Sequence, residues 1–230
     1  MIEFKNVFLR YDNGPYVLKD ICLNITPGSF FFLKGASGAG KSSLLKLIYL
    51  DHAATNGDVF ILGKNTKLIS RQERAAIKQE IGIVFQESLL LNHLSVFDNV
   101  ALPLRFQNRP DKEIKEYVYE LLHWVGLGGY VDSFPPTLSG GQQQRVAIAR
   151  SVISHPKILI ADEPTGNVDD QIAVRLINLF EELNKTGTTV IIATHNEQLM
   201  EDFGYPKLVL SNSQIKLESQ SRQIISEVRA

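Results

Sequence analysis

Residues Ile2 to Leu9 alternate apolar with polar side chains, as a strand with one buried face does, and Tyr11-Asp12-Asn13-Gly14-Pro15 then breaks the alternation with turn chemistry. A second alternating stretch runs from Val17 to Ile25, Pro27-Gly28 turns the chain into the apolar run Phe30 to Leu33, and Gly57 and Gly63 bracket a short strand, Asp58 to Leu62. This first part of the chain predicts hairpin-like antiparallel structure. Ser70 to Gln79 is charged and reads as a helix, and Ile81 to Phe85 as a buried strand that ends in Gln86. Lys157 to Ala161 and Thr188 to Thr194 are continuous apolar runs, the pattern of strands covered on both faces. Lys207 to Leu210 and Gln214 to Leu217 predict two closing strands around a turn at Ser211-Asn212-Ser213.

Between Glu87 and Thr137 the strand signal disappears. Val96 to Leu104 and Asp111 to Val125 read as helices punctuated by Pro103, Pro110, Gly126 and Pro135-Pro136, which makes about 87–137 a helical lobe inserted into the α/β pattern and returning at about Leu138. Helical runs follow at Val146 to Arg150, ended by Pro156, and at Gln171 to Asn184. The expected fold class is α/β, a single domain over 1–230 with a short polar tail at 219–230, where Ile224, Ile225 and Val228 are spaced for a weak amphipathic helix.

The chain has 230 residues, 44% of them apolar and 21% charged, enough to bury a sizeable core. No apolar run approaches the ~20 residues that cross a bilayer, and Glu3 with the early strand leaves no room for a signal peptide. The reading is therefore a soluble cytoplasmic chain whose membrane role, if any, comes through a partner. A formal net charge of −1 gives no reason for broad nucleic-acid binding. The single Cys22 excludes an internal disulfide and, lying among Ile21, Leu23 and Ile25, is expected to be an ordinary packed thiol.

The chemistry concentrates after the third strand, in Gly35-Ala36-Ser37-Gly38-Ala39-Gly40-Lys41-Ser42-Ser43. This is the full pattern of a phosphate-binding loop: the glycines allow a tight turn and close backbone approach, successive amides point at phosphate from a helix start, Lys41 reaches the β- and γ-phosphates, and the Ser42 hydroxyl suits Mg²⁺. A dinucleotide fingerprint is excluded, because its third glycine would fall on Ser43. Asp162-Glu163 places two carboxylates at the end of a buried strand, where Asp162 suits Mg²⁺ and Glu163 suits a base for an attacking water. Ser139 with Gln142 is a capping-box pair; the intervening Gly140 and Gly141 are not needed for capping and cost about 0.5–1 kcal/mol each against Ala in a helix, but leave amides open for a second phosphate contact. Tyr11 is either a base-stacking aromatic or a strand-end packing residue. His195 is either a hydrogen-bonded structural residue or a ligand contact, and it falls beyond a strand end, as Gly35, Gln86 and Asp162-Glu163 do.

In this order and spacing, Tyr11, GASGAGKSS, Gln86, LSGGQ, ILIADE, the 167–169 loop and His195 resemble the nucleotide-binding subunit of an ABC transporter over almost the entire chain. The resemblance implies a P-loop (RecA-like) ATPase core with an antiparallel β part and an inserted helical part, ATP and Mg²⁺ as cofactors, and ATP hydrolysis coupled to an integral-membrane partner. It further implies a head-to-tail homodimer with ATP between one subunit's phosphate loop and the Ser139-Gly140-Gly141-Gln142 segment of the other. Tyr11 would stack on adenine, Gln86 would sense metal and water, Asp169 would contact the other subunit, and His195 would respond to the γ-phosphate. Ser43 in place of a common Thr, Val168 in place of Leu, and the run Gln142 to Gln144 are the departures. MIEFKNV, FLKGASGAGKSSLLKLIY, VFDNVALPL and DEPTGNVDD are most similar to the cell-division branch of the family; the lipoprotein-releasing and efflux branches share DEPTGN. Leu89, Leu90, Leu91 and Phe97 are expected to form the face that docks on the membrane partner. A chromosome or repair ATPase would need a coiled coil or Cys pairs, a translation factor a second cassette, and a small-molecule kinase or non-hydrolysing scaffold would leave LSGGQ, Glu163 or His195 without a task.

Overall fold

A computed structural model describes residues 1–166 and 168–218, with the side chain of Asp170 outside that set; the polar tail expected at 219–230 lies outside the described residues. Two sheets form the α/β body. The smaller contains β1 (Ile2–Arg10), β2 (Tyr16–Ile25), β4 (Asn56–Ile61) and the two-residue β5 (Lys64–Asn65) in the antiparallel order β2-β1-β4-β5. The larger contains β3 (Phe30–Lys34), β6 (Ile81–Val84), β7 (Ile158–Asp162), β8 (Thr189–Ala193), β9 (Lys207–Ser211) and β10 (Gln214–Glu218) in the order β10-β9-β3-β8-β7-β6, parallel throughout except at the β9–β10 hairpin. The five parallel strands β9, β3, β8, β7 and β6 therefore end on one edge, where a ligand of an open α/β sheet binds.

Both faces of the large sheet are covered, which is why its strands read as continuous apolar runs. Along β7, Ile158 and Ile160 pack with β1, β2 and Leu44, Leu45, Leu47 and Ile48 of α1 (Lys41–Ile48), whereas Leu159 and Ala161 pack on the other face. That second face is built from Ile148 and Val152 of α5 (Gly140–Val152) and from Ala173, Ile177 and Phe180 of α6 (Asp170–Lys185). The helical lobe has its own core from Val96, Val100 and Leu104 of α3 (Val96–Phe106) and Ile114, Val118 and Leu122 of α4 (Asp111–Trp124), closed by Val146 and Ala149 of α5. α5 is thus the wall shared by sheet and lobe. Between β5 and β6 lies α2 (Arg71–Gln79), capped by a reciprocal Ser70–Glu73 box.

Several expectations are corrected. Cys22 is exposed and sits 3.5 Å from Asn6 Nδ2: the alternation that turns Ile21 and Ile25 into the core sends Cys22 to the opposite face. α3 runs through Pro103 and ends at Phe106, two residues past the expected Leu104, with the Gln107 amide donating to the Pro103 carbonyl at 3.2 Å; tertiary packing of the lobe outweighs the lost proline bond. α7 (Glu197–Phe203) was not expected, although Asn196 caps its start and Gly204 ends it in the left-handed region at φ 61. Leu89 and Leu91 are exposed, but Leu90 and Phe97 pack against the lobe core.

Candidate active site

The phosphate loop leaves β3 and enters α1 at Gly40, whose φ of 104° is open to glycine and strained for other residues. A Cβ there would lie 2.9 Å from Val17 Cγ1, and one on Gly35 would lie 2.7 Å from the Leu210 carbonyl, so neighbouring strands press the loop into shape. The loop borders a cleft of about 730 Å³ lined by Val17, Ser37, Gly38, Gly40, Lys41, Ser42, Ser43, Gln86, Asp162, Glu163 and His195, within the usual range for small-molecule sites. Five segments distant in the sequence meet there: four follow or end strands on the same edge of the large sheet, and Val17 comes from the start of β2 in the smaller one.

Lys41 Nζ donates to the carbonyls of Gly35 at 2.7 Å and Ala36 at 3.3 Å, which holds the ammonium over the loop. Ser42 Oγ donates to Asp162 Oδ2 at 2.8 Å, joining the first turn of α1 to the end of β7. Burial pushes the Asp162 carboxyl above the usual carboxylate range; the Ser42 hydrogen bond opposes this and the adjacent Glu163 charge adds to it. A partly buried carboxylate beside a hydroxyl is a hard-oxygen pair that a cation would relieve, so these residues fit Mg²⁺. Glu163 follows in the left-handed region at φ 48, its amide donating to the Ala193 carbonyl at 2.8 Å, and this conformation turns the carboxylate into the cleft. Glu163 Oε1 lies 2.9 Å from His195 Nδ1. Such a carboxylate at the mouth of a phosphate cleft can accept a proton from water. Gln86 is exposed at the cleft beyond β6, and the preceding Phe85 packs edge-on against Tyr49 at 5.7 Å, where burial raises the Tyr49 phenol to about 12.

The remaining expected residues lie elsewhere. Tyr11 does not line the cleft but touches it through a 3.0 Å hydrogen bond between its hydroxyl and Ser43 Oγ. Ser139 caps α5 by accepting from the Gln142 amide at 3.3 Å, while Gln142 Oε1 accepts from the Ser139 amide at 2.8 Å. Ser139 and Gly141 line a separate depression with Arg145, Val168, Asp169 and Ile172, and Asp169 caps α6 by accepting from the Ile172 amide at 2.9 Å. Gly140 opens α5. Val17 in the cleft wall and His52, packed against Tyr11, were not singled out by sequence reasoning. Nothing local marks either one, since β2 and the turn after α1 are brought there by the fold.

The family model described as "ABC transporter" matches residues 18–166. The chain is 43% identical to the "Cell division ATP-binding protein FtsE" of Bacillus subtilis, covering 87% of this chain and 88% of that one. It is 37% identical to the protein of that name from Streptococcus pneumoniae (94% of each chain) and 40% identical to that from Escherichia coli (94% and 97%). Among solved structures, a dimeric post-hydrolysis state of the ATP-binding cassette MJ0796 bound to ADP and Pi superposes with a TM-score of 0.89 at 35% identity, covering 95% of this chain and 98% of that one.

Proposed function

Because the chain belongs to the ABC transporter family and carries its ATP-hydrolysing cassette, we propose that it is an FtsE-type subunit. In this reading ATP closes a head-to-tail homodimer that drives an integral-membrane partner of the FtsX type, at the inner face of the membrane and the division septum, to regulate peptidoglycan hydrolysis. The observation that carries it is 37–43% identity to cell-division ATP-binding proteins of three bacteria over most of the chain. Among the described residues no helix is long and apolar enough to cross a membrane, which agrees with a separate membrane subunit.

The geometry supports the following division of labour. Lys41 and the loop amides grip the β- and γ-phosphates. Ser42 and Asp162 would hold Mg²⁺, which when bound supplies positive charge against those phosphates. Glu163 orients and deprotonates the attacking water, and His195 steadies Glu163. Gln86 links the cleft to the helical lobe, about 87–137. Since Ser139 and Gly141 line a different depression from the phosphate loop, the amides at the start of α5 serve the nucleotide of the second subunit, with Asp169 beside them. Tyr11 supplies a stacking face for adenine.

A docking face for the membrane partner is supported by a cleft of about 390 Å³ between β6 and α3, lined in part by Ile83, Phe85, Leu102, Phe106 and Arg150. Phe106 is 69% exposed there, a large apolar side chain that a partner would cover. The deciding experiment is to tag the protein at native expression and identify the integral-membrane protein that co-purifies. An FtsX-type protein is expected; a lipoprotein-releasing or efflux permease in its place overturns the cell-division reading and leaves the ATPase intact.

A further inference from the structure

Tyr11 is held from two sides, by the first turn of the helix that follows the phosphate loop and by the turn just beyond that helix. Its hydroxyl is 3.0 Å from Ser43 Oγ in the first turn of α1, and its ring meets the His52 ring edge to face, with centroids 5.2 Å apart and planes at 66°. His52 belongs to a fixed turn just beyond the other end of α1: the amides of Asp51 and His52 both donate to the Lys46 carbonyl, at 2.9 and 3.3 Å, and Leu50 takes the left-handed conformation at φ 62. His52 Nδ1 lies 2.9 Å from the Asp51 carbonyl oxygen, so the ring plane is set by its own backbone. His52 is half-buried and Tyr11 is 39% exposed, so the contact leaves Tyr11 surface open to solvent.

We propose that His52 is a positioning residue for the nucleotide base: together with Ser43 it fixes the Tyr11 ring so that its open face is presented to adenine. This rests on the reading of Tyr11 as the base-stacking residue. Tyr11 begins an exposed turn, closed by the Gly14 amide donating to the Tyr11 carbonyl at 3.0 Å, and a tyrosine there would otherwise sample several rotamers. Binding a base against a free rotor costs ordering entropy that a pre-set ring does not. The hydroxyl contact fixes one end of the ring and the T-shaped contact with His52 fixes its plane. Base affinity is thereby tied to the turn after α1, a segment outside the cleft.

The test compares His52→Ala, His52→Gln, His52→Phe and Tyr11→Ala in the intact protein by steady-state hydrolysis of ATP and GTP, with thermal melting as a check on folding. His52→Ala is expected to raise the KM for ATP about two- to tenfold, the range of an edge-to-face aromatic pair, with kcat within about twofold and a smaller effect on GTP. His52→Gln, which keeps bulk and polarity without a ring, should behave likewise, and His52→Phe should restore the low KM. In the Tyr11→Ala background His52→Ala should add nothing. If Tyr11→Ala raises KM and neither ringless His52 variant does, the positioning role is wrong and base stacking stands. If Tyr11→Ala leaves KM unchanged, the stacking reading falls and this inference with it. An undiminished His52→Ala effect without Tyr11, or an equal fall in kcat, also overturns it.

Discussion

His195 Nδ1 lies 2.9 Å from Glu163 Oε1, joining the polar groups delivered by the adjacent parallel strands β7 and β8 into one unit. The Glu163 side chain is 16% exposed and that of His195 78%, so the carboxylate is sheltered while the imidazole stands at the rim. In the proposed mechanism the Glu163 base is thus aimed by a residue exposed at the rim.

Replacing Glu163 with Gln keeps the shape of this unit and removes the proposed base. Glu163→Gln should lower hydrolysis on the order of 10²-fold or more while leaving Lys41, Ser42, Asp162 and the α5 amides untouched. In size-exclusion runs it should migrate as a monomer without nucleotide and as a dimer with Mg-ATP. Near-normal turnover without an ATP-dependent dimer would remove Glu163 from the mechanism.

Lys41 and Ser139 border different depressions, so their variants should fail in different ways. Lys41→Ala should abolish ATP binding, because the cation at the phosphates is lost. Ser139→Arg should leave binding intact and block hydrolysis by obstructing the other subunit's γ-phosphate. Equal loss of nucleotide binding, measured by equilibrium binding of a fluorescent ATP analogue, would place LSGGQ in the same subunit's pocket.

Exposure separates docking residues from lobe core. Leu89→Glu and Phe106→Glu, at exposed positions, should fold normally and lose the membrane partner in co-purification. Leu90→Glu and Phe97→Glu, which pack on the lobe core, should lower the melting temperature through burial of charge. Retained partner binding in the first pair, with unchanged melting, moves the docking face elsewhere.

The start of α2 makes a pH prediction. The hydrogen bond from Lys64 at 2.6 Å, helped by those from the Ser70 amide and hydroxyl, holds the Glu73 carboxyl at about 2, below its ordinary 4.5. The unfolded chain takes up this proton first, so the stabilisation is complete above about pH 4.5 and is lost as pH falls toward 2. Glu73→Gln should be less stable than the parent at neutral pH and lose less on acidification. Denaturant unfolding at neutral and acidic pH checks it; parallel pH curves for the two proteins contradict the assignment.

Features that depend only on neighbours along the chain were legible in the residues. The glycines and Lys41 of the phosphate loop, the capping boxes at Ser70 and Ser139, and the uninterrupted apolar strands at β7 and β8 are local patterns with local causes: backbone freedom, amides to satisfy, and two faces to cover. Even the convergence of Gly35, Gln86, Asp162 and His195 could be expected, because parallel strands end on one edge. Tertiary structure decided the questions on which local rules are silent or divided. Ile21 and Cys22 are both apolar neighbours in β2, and only the packing of the sheet decided that Ile21 faces the core and Cys22 the outside. The helix was expected to end at Leu104, just past Pro103, and packing of α3 on α5 carries it on to Phe106. Leu89, Leu90 and Leu91 are alike in sequence, and only the lobe core distinguishes Leu90. The bond from Ser42 to Asp162 spans 120 residues, and the meeting of Tyr11 with His52 depends on how the turn after β1 docks beside α1. Contacts of that kind are fixed when the whole chain buries its apolar surface, and no window of sequence contains them.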